Sequence, residues 1–339
     1  MMLSPRNKRI LQIIVEQYTA TAEPVGSKKI AKIYNLNLSP ATIRNAMSEL
    51  EEMGYLNQPY TSAGRIPTDK GFRLYVDSLL EIRGLSYAEK ETIKTQYQQE
   101  QLDINEVMRN TSRILSFLTQ YTGLVMVPRL TDTVFKDIHF IKLKEHLILA
   151  IFVSKSGIVQ NKVIEFQETV TQEELDKISK YINELLTGLT LRELREKIIQ
   201  EIKKEKVLYD KLLSKALRLS KQALDMEKDT DIYIEGKTNI LEQPEFSDRD
   251  KMKAILKAFE EKRILIKLLD QAMDREGIQV LIGFESEYEE IQDCSLVASS
   301  YGSKRYGIGT LGVIGPTRMD YSRVIPLVRY TAESISRVF

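Results

Sequence analysis

Between residues 24 and 75 the spacing of apolar residues changes period twice, and few folds accept the order of those changes. The segment reads as a helix, a tight turn, a second helix and a Gly-containing β-ribbon, the order of parts in a winged helix-turn-helix that reads duplex DNA. Ser27 is a candidate N-cap for a first helix, Lys28 to Tyr34, which a polar turn at Asn35 and Asn37 ends. Ser39 then caps a second helix with Pro40 at N1, where the missing N–H costs nothing.

In that second helix Ile43, Ala46, Met47 and Leu50 recur at i, i+3, i+4 and i+7 and form one core-facing stripe. Ala41, Arg44, Asn45, Ser48 and Glu52 are left on the opposite face, with Thr42 on its flank. Arg44 suits a bidentate contact to guanine and Asn45 one to adenine, while Ala41 or Thr42 can meet a thymine methyl. Glu49, Glu51 and Glu52 occupy the later turns, where they would repel phosphate if the helix lay flat, so the helix is expected to enter the groove tip first. After Gly54, short strand-like pieces flank a Ser62-Ala63-Gly64 tip with Arg65 and Lys70 on the return side. That is a wing, suited to phosphate or the minor groove. The competing reading is a helical hairpin with a surface turn used only for packing or protein contact. Residues 1–75 hold ten Lys/Arg against six Asp/Glu, which favours DNA modestly. The candidate contacts are Lys28, Lys29, Ser39, Ala41, Thr42, Arg44, Asn45, Ser48, Arg65 and Lys70.

The "PVGS" before the first helix, the "SPATIRNAMSELEEMGYL" recognition helix and the "TSAGRIPTDKGFRLYVD" wing together closely resemble the N-terminal domain of the HrcA family, the heat-inducible transcription repressors of bacteria. The later run "YGIGTLGVIGPTRMDYSRVIPLV" is similar to that family's C-terminal signature, so the resemblance reaches both ends of the chain. It implies an α+β multidomain protein: a winged helix-turn-helix, a GAF-like α/β domain and a dimerising domain inserted within it. It also implies a homodimeric repressor of chaperone operons of the groE and dnaK type, bound to an inverted-repeat operator and kept active by the GroE chaperonin.

Pattern along the chain supplies the expected boundaries. The winged helix takes 1–85 and a helical linker 86–120, with helix from Tyr87 to Gln120. Short β-branched runs, "GLVMVP", "KDIHFIKL", "HLILAIFVS" and "VQNKVIEF", open the GAF-like domain over 121–168, which resumes over 246–339. Between them, Thr171 with Glu174 three residues on opens a helical block to about Met226 inside an inserted dimerising domain, 169–245.

Other chemistry is weakly written. Net charge is only +1, so the basic excess is local. One cysteine, Cys294, and two histidines, His139 and His146, exclude disulfide frameworks and Cys/His zinc sites by count. Gly307 to Gly312 spell GxGxxG, but Val313 to Pro316 extend a strand where the dinucleotide fingerprint needs a helix N-terminus. Gly236-Lys237-Thr238 lacks the first glycine of a phosphate loop, since Asp231 stands there. The longest apolar run, Leu147 to Val153, is strand length and too short for a membrane. No signal-peptide pattern precedes Arg6, and a cytoplasmic location is expected. No enzyme, cofactor or metal is expected. The rival is a regulator sensing a small molecule through its GAF-like domain.

Overall fold

The computed structural model describes residues 3–34, 37–61, 63–97, 104–129, 134–154, 159–186, 211–224, 232–273, 277–303 and 307–337, with parts of 189–200. Helix α1, Pro5–Thr21, precedes the expected helix-turn-helix and was not anticipated. Its opening repeats the later Ser-Pro pattern: Ser4 caps it by accepting from Asn7 N–H, with Pro5 at N1. Ile10, Leu11, Ile13, Ile14 and Val15 are fully buried, so α1 is the core helix of the N-terminal module.

Helix α2 spans Ser27–Ile33, one residue earlier than expected, and its cap is Gly26; Ser27 is buried instead. The cause lies in the strand before it. Val25 exchanges both backbone hydrogen bonds with Arg65, each 2.9 Å, so the chain leaves that ladder and turns at Gly26. Asn37 is left-handed, φ 53°; Asn35 and Ser62 lie outside the described residues. Helix α3, Pro40–Glu52, has Ser39 as N-cap, and Ile43, Ala46, Met47 and Leu50 are buried as expected. Gly54, φ 77°, ends it, with Tyr55 N–H bonded to Leu50 C=O in a Schellman-like close.

The wing pairs β1, Leu56–Asn57, antiparallel to β2, Ile66–Pro67. One residue later α4, Asp69–Leu74, begins and passes into a π-helical turn, Tyr75–Leu79. The linker holds α5, Tyr87–Thr95, opened by a Ser86/Glu89 capping box, and α6, Ile104–Thr119. Then follow β3 (Thr122–Arg129), β4 (Phe135–Lys142), β5 (Leu147–Ser154), β6 (Val159–Glu165), α7 (Gln172–Leu186) and α8 (Lys211–Leu224). After these come β7 (Ile232–Glu235), α9 (Lys237–Leu241), α10 (Arg249–Glu261), α11 (Arg263–Met273), β8 (Ile278–Ile282), β9 (Cys294–Ser303), β10 (Gly307–Pro316) and α12 (Tyr321–Ile335).

Contacts divide the chain into two compact units, one of Met1–Val125, Ile232–Ser300 and Thr310–Ser334, the other of Met126–Asp231, Tyr301–Gly309 and Ile335–Phe339. A five-stranded sheet, order β7-β3-β10-β9-β8, forms the body that follows the N-terminal module in the chain, with β8 antiparallel to β9. The arrangement is compatible with the GAF-like expectation. Strands β4, β5 and β6 build a separate antiparallel sheet packed by α7 and α8. The expected divisions at 168 and 245 therefore differ from those of the compact units. The three strands assigned to the GAF-like domain pair with each other and with α7, while β7, assigned to the insertion, joins the five-stranded sheet.

Residues 307–312 lie within β10, where the glycines allow close approach: a Cβ at Gly309 would stand 2.5 Å from the Tyr301 ring, and one at Gly312 2.7 Å from Val297 O. Cys294 is buried, and desolvation pushes its thiol far above the usual range. His139 and His146 are exposed.

Candidate nucleic-acid interface

The outward face of α3 is assembled as its periodicity predicts. Ala41, Arg44 and Asn45 are exposed, Ser48 and Thr42 half-buried. Neither Arg44 nor Asn45 has a side-chain hydrogen bond or ion pair among the described residues, so both are free to meet a ligand. Ser39 is already committed: its Oγ accepts from Thr42 N–H at 3.1 Å and lies 2.9 Å from Thr42 Oγ1. Those hydroxyls stiffen the first turn of the helix, the end that would face bases.

Wing and helix meet around a cleft of about 440 Å³, lined by Lys28, Arg44, Gln58, Thr61, Gly64 and Arg65 among others. Gln58 Nε2 donates to Thr61 O at 2.9 Å and Ala63 O at 3.1 Å, which shapes the wing loop from inside. Gly64 touches the chain before α2 so closely that a Cβ there would collide with the Val25 carbonyl. Lys28 is exposed and Lys29 half-buried beside this entrance. Gln58 and Thr61 were not singled out from the sequence; the signal was their position between the β1 pair and the Gly tip.

The other expected cations already have partners. Arg65 Nε and Nη2 both lie 2.8 Å from Glu51 Oε2, with only 16% of the arginine side chain exposed. Lys70 Nζ donates to Met53 O at 2.9 Å, closing the negative end of α3, and sits 4.7 Å from the centre of the Tyr55 ring. The acidic later turns of α3 are explained in the same way. Glu49 accepts from the buried Asn7 Nδ2 at 2.8 Å and approaches Arg6 at 3.7 Å, while Glu51 holds Arg65. These carboxylates tie helix α3 to α1 and to the wing, and of the three glutamates Glu52 alone has no side-chain partner among the described residues.

Among the described residues no cluster of His, Cys, Asp and Glu could hold a metal ion, and no helix is long and apolar enough to cross a membrane. Residues 2–78 match the family described as "Winged helix-turn-helix transcription repressor, HrcA DNA-binding", and residues 105–325 match "HrcA protein C terminal domain". The chain is 50% identical over 336 residues to the heat-inducible transcription repressor HrcA of Geobacter sulfurreducens, covering 99% of this chain and 98% of that one. It is 45% identical over 338 residues to that of Syntrophobacter fumaroxidans, covering 99% and 97%. A crystal structure titled only as a hypothetical protein is similar across 100% of this chain and 99% of its own, with TM-score 0.65 and 25% identity.

Proposed function

The chain belongs to the HrcA family of heat-inducible transcription repressors, and from that premise we propose that it silences chaperone operons of the groE and dnaK type in the cytoplasm by occupying an inverted-repeat operator as a homodimer. The observation that carries this reading is the unpaired, exposed face of Ala41, Arg44 and Asn45 beside the wing cleft. Arg44 would fork onto guanine and Asn45 onto adenine, with Ser48 assisting and Ala41 and Thr42 giving apolar contact. Lys28 and Lys29 would hold phosphates and set register without reading sequence. Ser39 would act by capping the first turn of the helix, its Oγ being taken up by the Thr42 N–H. Arg65 and Lys70 would reach DNA only by exchanging Glu51 or the Met53 carbonyl for phosphate.

Support for the homodimer comes from the three-stranded sheet. Its one face, Ile138, Phe140, Ile148, Ala150, Phe152 and Ile164, is buried. On the other, Ile141 pairs with Leu149 and Leu149 with Val163, and Ile141, Leu143, Val159 and Val163 are exposed. The edge at β4 is closed by α7, so a second copy of the chain has the apolar face to meet. Two recognition helices related by a two-fold axis would then read half-sites separated by a near-integral number of turns of about 10–10.5 bp.

A gel-shift titration on a chaperone-promoter inverted repeat against a scrambled repeat, at one salt concentration, tests the reading. A preference of about a thousandfold is expected, and Arg44→Ala should weaken the specific duplex by about 1–3 kcal/mol while leaving the scrambled one unchanged. An equal loss on both would reduce Arg44 to a phosphate contact. The GroE dependence predicts that operator binding lost on mild heating returns only when chaperonin is supplied.

A further inference from the structure

The DNA reader is fastened to the body by contacts that need not exist for DNA reading. Asp69, the first residue of α4 and only two residues beyond wing strand β2, accepts the Phe284 N–H on Oδ2 at 2.9 Å. Gly283, φ 52°, is moulded around the same carboxylate, since a Cβ there would collide with it. One helical turn on, Arg73 Nε donates to Glu285 Oε1 at 2.7 Å and its Nη2 pairs with Glu285 Oε2. That Nη2 also donates to Val280 O at 2.6 Å, while Nη1 reaches Asp77 Oδ1 at 3.1 Å. Glu285 in turn accepts the Ile282 N–H at 2.9 Å.

Two further ties close the junction. Arg318, 9% exposed, donates to Thr19 O in the last turn of α1 at 3.1 Å while its fork holds Glu245. Downstream of the reader, Arg83 N–H donates at 3.2 Å to Ser322 O. That carbonyl is the one Pro326, inside α12, leaves without its helical donor. Between the ties the Phe72 ring lies 6.4 Å from Tyr18 and 6.2 Å from Tyr321.

A planar guanidinium forked onto a carboxylate fixes direction as well as distance. We propose that Asp69 and Arg73 are positioning residues: by locking α4 to the Gly283–Glu285 turn they set the direction in which wing and recognition helix leave the body, and so the half-site spacing that the paired repressor accepts. This rests on the homodimeric operator reading. A free reader would sample many directions and bind re-spaced half-sites nearly as well as the natural pair; a locked reader favours one.

The test uses the full chain on duplexes carrying the operator, the same half-sites moved apart or together by a few base pairs, and one half-site. The unaltered protein should lose about tenfold or more on the re-spaced duplexes. Asp69→Ala with Glu285→Ala should shrink that discrimination below about threefold while keeping half-site affinity. Full discrimination in the double variant overturns the proposal. A second readout judges the lock without DNA: a dye on Lys32→Cys, read by time-resolved anisotropy, the native Cys294 being buried. The reader should tumble with the body, and the double variant should gain a faster component. If the unaltered protein binds one half-site as tightly as two, the operator reading fails, and the anisotropy still decides the lock: unchanged tumbling in the double variant overturns it.

Discussion

Arg44 and Arg65 carry the same guanidinium within about one helix and one strand of each other, yet their surroundings assign them different work. Arg44 has no partner among the described residues, whereas Arg65 puts two nitrogens on Glu51 Oε2 with most of its side chain covered. Removing Arg44 therefore disturbs no side-chain bond within the described chain, and on the proposed reading it strips a contact made only with DNA. Removing Arg65 leaves the Glu51 carboxylate, 32% exposed, without its cation against the wing. We expect Arg65→Ala to lower stability by about 1 kcal/mol, seen as a melting temperature several degrees down for the DNA-reading module, and Arg44→Ala to leave melting within error. Equal melting of the two variants would mean that the Glu51 pair contributes nothing. Sequence pattern made the face of α3 legible because helical periodicity alone separates Ile43, Ala46, Met47 and Leu50 from Arg44 and Asn45. It could not tell Arg44 from Arg65 or Lys70, because the partners Glu51 and Met53 are met only after the wing folds back.

At the level of whole elements, helix α7 shows how the second unit keeps a sheet edge from pairing. Asn183 Oδ1 accepts the Ile138 N–H at 2.7 Å and its Nδ2 donates to Ile138 O at 3.0 Å. Ser179 Oγ accepts the Phe140 N–H at 3.1 Å; Gln172 accepts from Lys142 N and donates to Phe140 O, at 2.8 and 3.0 Å. Three polar side chains on one helix thus stand where another strand would, which is one way to blunt an exposed edge. Asn183→Leu keeps the branched heavy-atom shape and removes both bonds to Ile138. A cost of about 1–3 kcal/mol is expected, with the Ile138 amide exchanging faster by hydrogen exchange while Ile148, on the strand paired within the sheet, keeps its protection. Unchanged exchange at Ile138 would show that water replaces the amide without loss. Strands were legible because β-branched runs stop at Pro, Gly and charge, but which sheet each joins depends on pairing across distant sequence. Helix α12 was missed for a local reason: Pro326 argues against a helix until Arg83 is seen to satisfy the carbonyl it frees. Helix α1 was legible in hindsight, its Ser4-Pro5 start matching Ser39-Pro40.

For the whole molecule the balance of +1 means that DNA affinity must come from a local surface, and in the proposed homodimer it is raised by pairing two such surfaces on one operator. A single reader with few phosphate contacts binds weakly at ordinary salt, and the second half-site raises the apparent affinity through effective concentration only if the two chains are held together. The exposed apolar face of the three-stranded sheet is where that pairing is expected to act. Ile141 and Val163 are 40% and 55% exposed, so charging them does little to the monomer's own packing. Each also stands across from Leu149 in the pairing of the sheet, at the middle of the face. Ile141→Glu with Val163→Glu should therefore leave the melting of the monomer close to unchanged and shift sedimentation velocity from dimer to monomer. Operator affinity should then fall by about tenfold or more toward that of one half-site, while half-site affinity holds. A variant that stays dimeric would place the two-fold contact on another surface, and one that turns monomeric yet keeps full operator affinity would remove pairing from the account of repression.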